Sequence, residues 1–526
     1  MFTPKKISFS REGITSGLNK LASAVESTLG PGGRPVVIES TDHTRGITVT
    51  KDGVTVAKSI SLLDAEENLG VRIMREASER TASEAGDGTT TAIVLARALV
   101  EAVNAGVDFD KVNRIQFMRD LESQLMKVES LIDAKSKRLT RGLLRDVATI
   151  SANNDPELGR IIADVFKAVG KTGVVTVEQS DTHVTYFEVT KGIRFGRGLS
   201  NPLFVNNHKK DECVFENAYV FISDVEINNI LQIETLLKAV VSERVPVLFI
   251  ATMKPQVMNT LAANVVKNGL EFCVVQPPDF GWRQNELMGD IALATGGKFF
   301  SEKSGDNLNL ATLSDLGRVH RCVVGRDTTV LVADDEKTDK EAILSRVEEL
   351  KAAQASPSTT KSGKAFISQR IASLSGGIGV VYVGGDTDLE QKERYDRVDD
   401  AVCAVESALQ EGVLPGGGVA LWRLATELVQ LEPESKAAHV LGEAMCMPLM
   451  RIAENSGLNP EAVVSMLGAG FWSGYDAKGE LAAVNCLDAG VVDPAKVTRT
   501  ALRSAVSVAI TMLSANAIIT AARDVE

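Results

Sequence analysis

Helical sequence at both ends of this 526-residue chain is interrupted in the middle by strands that alternate with helices. The interruption runs from about residue 191 to about residue 376. Short apolar runs at 218–222, 245–250 and 272–275 predict strands, and the stretches near 233–241 and 257–268 predict helices between them. We therefore expect a multidomain α and α/β fold, in which a mostly helical domain is split by smaller inserted pieces.

The first hundred residues predict a helix, several short strands and a second helix. Apolar residues recur at helical spacing before the breaker Gly30-Pro31-Gly32-Gly33, at Ile14, Leu18, Leu21 and Val25. Three apolar runs, at 36–38, 47–49 and 54–56, are expected as strands, with Lys51-Asp52-Gly53 in a tight turn between the last two. The stretch 89–103 is apolar on nearly every face, which predicts a helix buried on all sides.

Charge and cysteine content exclude several classes of protein. The 57 basic and 69 acidic residues leave a net charge of −12, which argues against a protein that coats nucleic acid. The six cysteines form no Cys-x-x-Cys pair and no signal peptide precedes them, so we expect reduced thiols in the cytoplasm. Ser504–Ala522 is uncharged, but its hydroxyl and amide side chains favour a buried core helix over a membrane span. We expect no membrane partner.

Three glycine-rich elements, at 28–34, 86–91 and 415–418, lie next to apolar helices. Glycine lets backbone N–H groups approach an anion, and the start of a helix adds the positive end of its dipole. The second element supplies threonine hydroxyls for phosphate oxygens, and Asp87 for Mg²⁺. Each element alone is more often a plain turn or cap, but three in one chain favour a phosphate site.

Two carboxylates are candidates for general-base work. Asp52 lies at the expected tight turn, and Asp400 lies on a predicted helix beside Val398 and Val402. The alternatives stay open from the pattern alone, because Asp-Gly is a favoured turn and an aspartate on such a helix is usually solvated.

These motifs together resemble the bacterial-type (group I) chaperonins of the GroEL family, and their order and spacing match over essentially the whole chain. The chain resembles a divergent member, and the sequence leaves open whether its gene belongs to a cell or to a virus. The motifs are Thr28-Leu29-Gly30-Pro31, Thr50-Lys51-Asp52-Gly53-Val54, Gly86-Asp87-Gly88-Thr89-Thr90-Thr91, Ile150-Ser151-Ala152-Asn153, Arg197-Gly198, Asp400-Ala401, Gly416-Gly417-Gly418-Val419-Ala420-Leu421 and Asp493-Pro494-Ala495-Lys496-Val497.

The resemblance implies an ATP-dependent chaperonin that forms seven-membered rings and helps non-native polypeptides to fold in a central cavity. It implies an equatorial ATP-binding domain at 1–133 and 411–526 and an intermediate hinge domain at 134–190 and 378–410. It further implies an apical polypeptide-binding α/β domain at 191–377, and hinges at Gly192, Gly376, Gly377 and Gly412.

The resemblance also assigns site residues. Asp400 would orient the attacking water and Asp52 would assist it; Asp87 would hold Mg²⁺, and the backbone oxygens of Thr28 and Lys51 would hold K⁺. Asp493 would contact the ribose, and Asp476 lies near the adenine. ATP would contact Thr28, Leu29, Gly30, Pro31, Lys51, Asp87, Gly88, Thr89, Thr90, Thr91, Gly417, Asp476, Ala477 and Asp493, and polypeptide would contact Leu199, Leu203, Phe204, Leu237 and Ala263.

The sequence departs from the family in several places. Gly32 stands where a lysine is usual, and Asp476 stands where an asparagine is usual, which bears on nucleotide preference. Glu234, Asn259 and Asn264 make the polypeptide groove more polar, so we expect a co-chaperonin to bind weakly or to be dispensable.

Two further positions bear on assembly. Met450 and Asn459 replace a charged contact between stacked rings, which leaves a single or a double ring open.

Three other readings compete with a folding ring. One is a ring scaffold that binds peptide without productive ATP turnover, which the retained Asp52, Asp87 and Asp400 disfavour. Another is a small-molecule kinase or phosphatase, for which the sequence offers no acceptor constellation. The third is an archaeal-type chaperonin, which would have a longer apical protrusion.

Overall fold

The computed structural model describes residues 5–39, 47–170, 174–180, 182–208, 210–334, 339–355, 363, 366–367, 370–371, 373–374, 377–478 and 482–521. The strands are β1 Lys5–Ser8, β2 Val36–Glu39, β3 Ile47–Thr50, β4 Val174–Gln179, β5 Tyr186–Phe195, β6 Cys213–Ser223, β7 Val247–Ile250, β8 Phe272–Val275, β9 Phe299–Phe300, β10 Gly317–Val324, β11 Thr329–Ala333, β12 Gly377–Val383, β13 Val413–Pro415, β14 Ser473–Tyr475, β15 Ala483–Asn485, β16 Val492–Pro494 and β17 Ile518–Ala521.

The helices in the same part of the chain are α1 Glu12–Glu26, α2 Gly53–Ser59, α3 Ala65–Ala85, α4 Thr89–Gly106, α5 Arg114–Lys135, α6 Arg141–Ser151, α7 Pro156–Val169, α8 Glu234–Glu243, α9 Pro255–Asn268, α10 Gly281–Thr295, α11 Lys340–Ala355, α12 Asp388–Glu411, α13 Val419–Leu431, α14 Lys436–Asn455, α15 Pro460–Met466 and α16 Ala495–Ser514.

The chain forms two compact units, and each is discontinuous in sequence. Unit 1 contains Met1–Ala163, Val177–Tyr186 and Tyr382–Glu526, and unit 2 contains Asp164–Thr176 and Phe187–Val381. Unit 1 is mostly helical, and unit 2 holds most of the α/β sequence.

Helix α4 lies at the centre of unit 1. Its alanine, valine, leucine and isoleucine side chains are buried on nearly every face, and it packs against α1, α3, α14 and α16. Helix α16 includes the first part of the uncharged Ser504–Ala522 stretch and is buried along most of its length. Within the described ranges, we find no helix whose length and apolarity together suit a membrane crossing.

A mixed sheet forms the core of unit 2. Its strand order is β5-β11-β10-β6-β7-β8, with β9 also pairing with β6, and β12 and β4 continue the order beyond β5. Strands β5, β11, β10 and β6 pair antiparallel, whereas β6, β7 and β8 pair parallel. Burial on both faces explains why β7 and β8 are uninterrupted apolar runs in the sequence.

The third expected strand in the first hundred residues is wrong, because Val54 and Val56 lie in helix α2. The side chain of Asp52 accepts hydrogen bonds from the backbone N–H groups of Val54 and Thr55, so Asp52 is the N-cap of this helix and not a hairpin tip. A capped helix start here outweighs the strand preference of two valines.

The expected hinge glycines occupy different settings. Gly412 follows α12 with a φ of 85° and lies against the carbonyl of Lys137, so glycine is required there. Gly192 lies inside β5 and Gly377 begins β12. Gly376 lies outside the described residues.

Candidate functional site

One cavity in unit 1, of about 420 Å³, brings together all the predicted nucleotide and catalytic residues. They come from seven separate stretches of the chain. The residues are Thr28, Leu29, Gly30, Pro31, Lys51, Asp52, Asp87, Gly88, Thr89, Thr90, Thr91, Asp400, Gly417, Asp476, Ala477 and Asp493.

The first glycine-rich loop follows α1, and hydrogen bonds from a residue of α14 hold it in place. Gly30 has a φ of 80°, which favours glycine. The side-chain amide of Asn455, the last residue of α14, donates to the carbonyls of Glu26 and Leu29, at 2.9 Å each. A side chain at Gly32 would bring its Cβ within 2.4 Å of the Asn455 carbonyl oxygen, so the lysine usual in the family has no room on this backbone.

The second loop turns directly into α4. Gly86 ends α3 with a φ of 73°, and Gly88 precedes α4 with a φ of 82°. Thr89, Thr90 and Thr91 form the first turn of α4, where backbone N–H groups have no partner within the helix. Gly53 lies so close that a Cβ there would be 2.4 Å from the Thr90 hydroxyl oxygen. The cavity wall therefore contains a helix start suited to an anion.

The third loop supplies a second helix start. Gly417 and Gly418 have φ values of 64° and 77°, and α13 begins at the next residue. A Cβ at Gly418 would lie 2.5 Å from the backbone nitrogen of Leu449, so this close approach requires glycine. The Tyr475 hydroxyl donates to the Gly417 carbonyl at 3.3 Å. Two helix starts thus meet the same cavity.

Four aspartates in the cavity wall, Asp87, Asp146, Asp400 and Asp493, have raised pKa values, and burial is the largest cause in each. Burial, followed by the charges of Asp52 and Asp87, raises the pKa of Asp400 well above its usual range. Burial and the charge of Asp52 likewise raise the pKa of Asp87. Burial and the charge of Asp87 raise the pKa of Asp493 to about 7, although this residue faces the cavity. The wall therefore holds several closely spaced carboxyl groups, whose ionised forms a bound cation would stabilise.

The donor set fits Mg²⁺ bound together with phosphates. Among the described residues, no group of three or more acidic, histidine or cysteine side chains forms a complete metal cage. Magnesium usually takes only one or two protein carboxylates and completes its shell with phosphate oxygens and water. Asp87 offers such a carboxylate, whose oxygens already accept from the Gly88 N–H and the Ser151 hydroxyl.

The carboxylate oxygens of Asp52 already accept hydrogen bonds, which the sequence did not predict. Both of its carboxylate oxygens accept hydrogen bonds from the first turn of α2, and one also accepts from the Thr55 hydroxyl. Asp52 therefore contributes its charge to the cavity while its oxygens cap a helix.

An apolar wall lines another part of the cavity. Leu29, Ile452 and Tyr475 are buried in a small core cluster, against which Ala477 packs. The neighbouring Asp476 accepts a hydrogen bond from the Lys478 N–H at 3.0 Å. A flat apolar face beside backbone and carboxylate oxygens suits a nucleotide base.

Sequence reasoning assigned no site role to several residues of this wall. The Ser151 hydroxyl lies 3.1 Å from an Asp87 carboxylate oxygen, and Asn153 and Asn154 both have positive φ, at 56° and 63°. Arg397 also lines the cavity and pairs with Glu393 on the preceding turn of α12. Two signals were available: Ser151 and Asn153 belong to the motif Ile150-Ser151-Ala152-Asn153, and asparagine tolerates the left-handed region better than most residues.

The structure does not bring the five predicted polypeptide-contact residues into one site. Phe204 is 1% exposed and belongs to the core of unit 2, so its prediction as a contact residue is wrong for this conformation. Leu203 is 54% exposed, and Leu199 packs partly buried against the core. Leu237 and Ala263 line two different surface depressions.

The two depressions differ in chemistry. The one on α8 includes Leu231 and Val241, which are 59% and 44% exposed. The one on α9 is polar, and the Asn264 amide there donates to the Thr260 carbonyl and accepts from Asn268. Of the two depressions, the one on α8 therefore has the more apolar lining.

Comparison with known proteins gives concordant matches. A model described as the TCP-1/cpn60 chaperonin family matches residues 21–523. Two crystal forms of the chaperonin gp146 from the bacteriophage EL 2 (Pseudomonas aeruginosa), both in the presence of ATP-BeFx, have similar folds. One is 23% identical with a TM-score of 0.67 and covers 98% of each chain. The other is 22% identical with a TM-score of 0.60 and covers 98% of this chain and 99% of that chain.

Proposed function

Because this chain belongs to the TCP-1/cpn60 chaperonin family, we propose that it is an ATP-driven chaperonin, which captures non-native polypeptides and helps them to fold within a ring of its own copies. The observation that carries the proposal is the cavity in unit 1, where three glycine loops, two helix starts and seven aspartates meet. That combination suits a triphosphate with a divalent cation.

We propose that the N–H groups at the start of α4 and the loops at Gly30, Gly88 and Gly417 bind the phosphates of ATP. Asp87 is the protein ligand for Mg²⁺, which would neutralise charge on the phosphate oxygens. The Ser151 hydroxyl orients the Asp87 carboxylate. The backbone oxygens of Thr28 and Lys51 are the proposed K⁺ ligands.

Asp400 is the proposed catalytic residue. Its raised pKa reflects burial near two other carboxylates, and a water held by its carboxylate would be oriented towards the terminal phosphate. Asp52 would assist through its charge, since its oxygens cap α2.

The rest of the nucleotide would extend along the apolar wall. Asp493 is the proposed ribose contact, and Asp476 and Ala477 lie at the proposed base position. A carboxylate at 476 accepts hydrogen bonds but cannot donate them, so it would accept from an amino group of the base.

The proposed domains are those implied by the family. The equatorial domain would contain 1–133 and 411–526, the intermediate domain 134–190 and 378–410, and the apical domain 191–377. Asp400 falls in the intermediate part, so motion of that part would control hydrolysis. Gly412, with its positive φ at the end of α12, is the best supported of the proposed hinges.

Polypeptide binding is proposed on unit 2, with Leu203, Leu237 and Ala263 as contacts and Leu199 at the edge. Phe204 would support this surface from the core. The polar face of α9 favours weak or dispensable binding of a co-chaperonin.

Ring formation is supported by two small two-stranded sheets. Strands β1 and β17 pair with each other, as do β2 and β3, and both pairs expose apolar side chains, including Ile7, Ile519 and Val37. An isolated two-stranded sheet is only marginally stable, so joining such sheets between neighbouring copies would stabilise both. Seven copies per ring, in the cytoplasm, are proposed from the family. Asn459 caps α15, and the number of stacked rings stays open.

The test is refolding of a chemically denatured enzyme diluted into the purified protein with and without Mg-ATP. We expect ATP to increase the recovered enzyme activity, and the denatured enzyme to increase phosphate release. A ring scaffold would instead suppress aggregation equally with and without ATP, and would release no phosphate. A small-molecule kinase would consume ATP without responding to the denatured enzyme.

A further inference from the structure

Helix α12, which carries Asp400, packs against the end of α3 through Ser407. The Ser407 hydroxyl donates to the carbonyl oxygen of Ala85, the last residue of α3, at 3.2 Å. Ser407 is 2% exposed. The last carbonyls of a helix have no partner within it, so this bond satisfies a buried acceptor and fixes the position of α12 along α3.

One turn nearer to Asp400, Cys403 fills the space against Gly86. A Cβ built on Gly86 would lie 2.3 Å from the Cβ of Cys403 and 2.5 Å from its sulfur. The Cys403 side chain therefore rests directly on backbone. Gly86 also has a φ of 73°, which turns the chain from α3 towards Asp87.

These contacts form a row in which successive residues of the loop meet successive turns of α12. Ala85 meets Ser407 and Gly86 meets Cys403, while Asp87 and Asp400 both line the cavity. Asp400 and Ser407 are separated by about 10 Å along the helix, at 1.5 Å per residue. The two ends of the row are thus close enough for a change at one end to move the other.

We infer that Cys403 and Ser407 are positioning residues for the proposed ATP hydrolysis: they fix how α12 lies on the Ala85–Asp87 segment and so set the place of the Asp400 carboxylate relative to Asp87. This inference rests on the proposed function. Neither residue touches the nucleotide site in the described structure, since neither lines the cavity.

Because the side chains around this row of contacts are small, its geometry is sensitive to added side-chain volume. Ala404 and Ala408 are buried beside Cys403 and Ser407 on the same helix. Close-packed contacts transmit the addition of even one methylene group. A displacement of about 1 Å in a catalytic geometry costs on the order of a hundredfold in rate.

The test compares Cys403→Leu, Cys403→Ser and Ser407→Ala in the full-length protein. Cys403→Leu adds volume against Gly86 and should lower kcat by at least about tenfold, with the Kd for ATP within about twofold of wild type. Cys403→Ser keeps the shape and should retain kcat within about twofold. Ser407→Ala removes only the hydrogen bond and should lower kcat by about threefold to tenfold. Cys446→Leu, the same change at another partly buried cysteine of unit 1, is the matched control and should leave kcat unchanged.

A double-mutant cycle separates positioning from general loosening of the fold. In single-turnover measurements, Ser407→Ala should have no further effect once Asp400→Ala is present, because the residue acts through Asp400. Equal effects of Ser407→Ala in both backgrounds would overturn the inference, as would an unchanged kcat in Cys403→Leu. If Asp400→Ala itself leaves turnover unchanged, the proposed catalytic role of Asp400 fails instead.

Discussion

The Asn455 amide should control ATP affinity without touching ATP. Its side chain donates two hydrogen bonds, to the carbonyls of Glu26 and Leu29, and so orders the loop that leads to Gly30. Asn455→Ala removes both bonds. At about 1 kcal/mol for each bond, the ordered loop loses roughly 2 kcal/mol.

If the loop of the variant becomes ordered only when ATP binds, that loss corresponds to about a thirtyfold weaker affinity, because 1.4 kcal/mol is a factor of ten. We expect the Kd for Mg-ATP, measured by isothermal titration calorimetry, to rise by roughly tenfold to thirtyfold, with kcat changed by less than about threefold.

A matched control is Asn268→Ala, which removes an exposed amide that bonds only to Asn264 within α9. This variant should bind ATP like the wild type. An unchanged Kd in Asn455→Ala, or a fall in kcat at constant Kd, would refute the reasoning.

Three further predictions concern the site and the assembly. Because the pKa of Asp493 is raised to about 7, its neutral form is favoured in the folded protein; the stability it contributes is present below its usual pKa near 4 and is lost as the pH rises through 7. Asp493→Asn should therefore raise the free energy of unfolding of the nucleotide-free protein at pH 8, by up to roughly 4 kcal/mol, and should matter little at pH 4 in urea titrations. Asp87→Asn should raise the Mg²⁺ concentration needed for half-maximal phosphate release by more than about tenfold, while chelating the metal should stop release in the wild type; equal Mg²⁺ requirements would remove Asp87 as the metal ligand. Electron microscopy of the purified protein should show rings with sevenfold symmetry, and any other symmetry would contradict the proposed assembly.

Periodicity predicted the elements in which one physical signal dominates. The strand at Phe272–Val275 and the buried helix α4 are confirmed, because uninterrupted burial leaves a long apolar run in the sequence. The resemblance to the chaperonin family and the fold class are also confirmed by the family match.

The wrong predictions concern residues whose structure is set by a local or a long-range contact and not by the pattern of apolar residues. Val54 and Val56 favour a strand by composition, but the Asp52 carboxylate captures the N–H groups that start a helix. Phe204 looks like a contact residue by position, yet tertiary packing places it in the core. The sequence alone does not reveal such burial, since an apolar residue serves a core and a binding surface equally well.

The residues that line the site could be predicted from the sequence, but the contacts that hold them in place could not. The glycine loops and aspartates carry recognisable chemistry, whereas the Asn455 amide and the Ser407 hydroxyl have no signature. Each reaches a backbone carbonyl more than three hundred residues away, so only the folded chain reveals the contact.

Phosphate release measured with Asp400→Ala and with Asp399→Ala tests the proposed role of Asp400 in ATP hydrolysis in the unit 1 cavity. Asp399 is the neighbouring carboxylate on α12 and does not line the cavity. We expect Asp400→Ala to retain ATP binding but to lose turnover by at least about a hundredfold, and Asp399→Ala to turn over ATP like the wild type. Equal phosphate release by Asp400→Ala and wild type, with ATP bound in both, would contradict this role of Asp400.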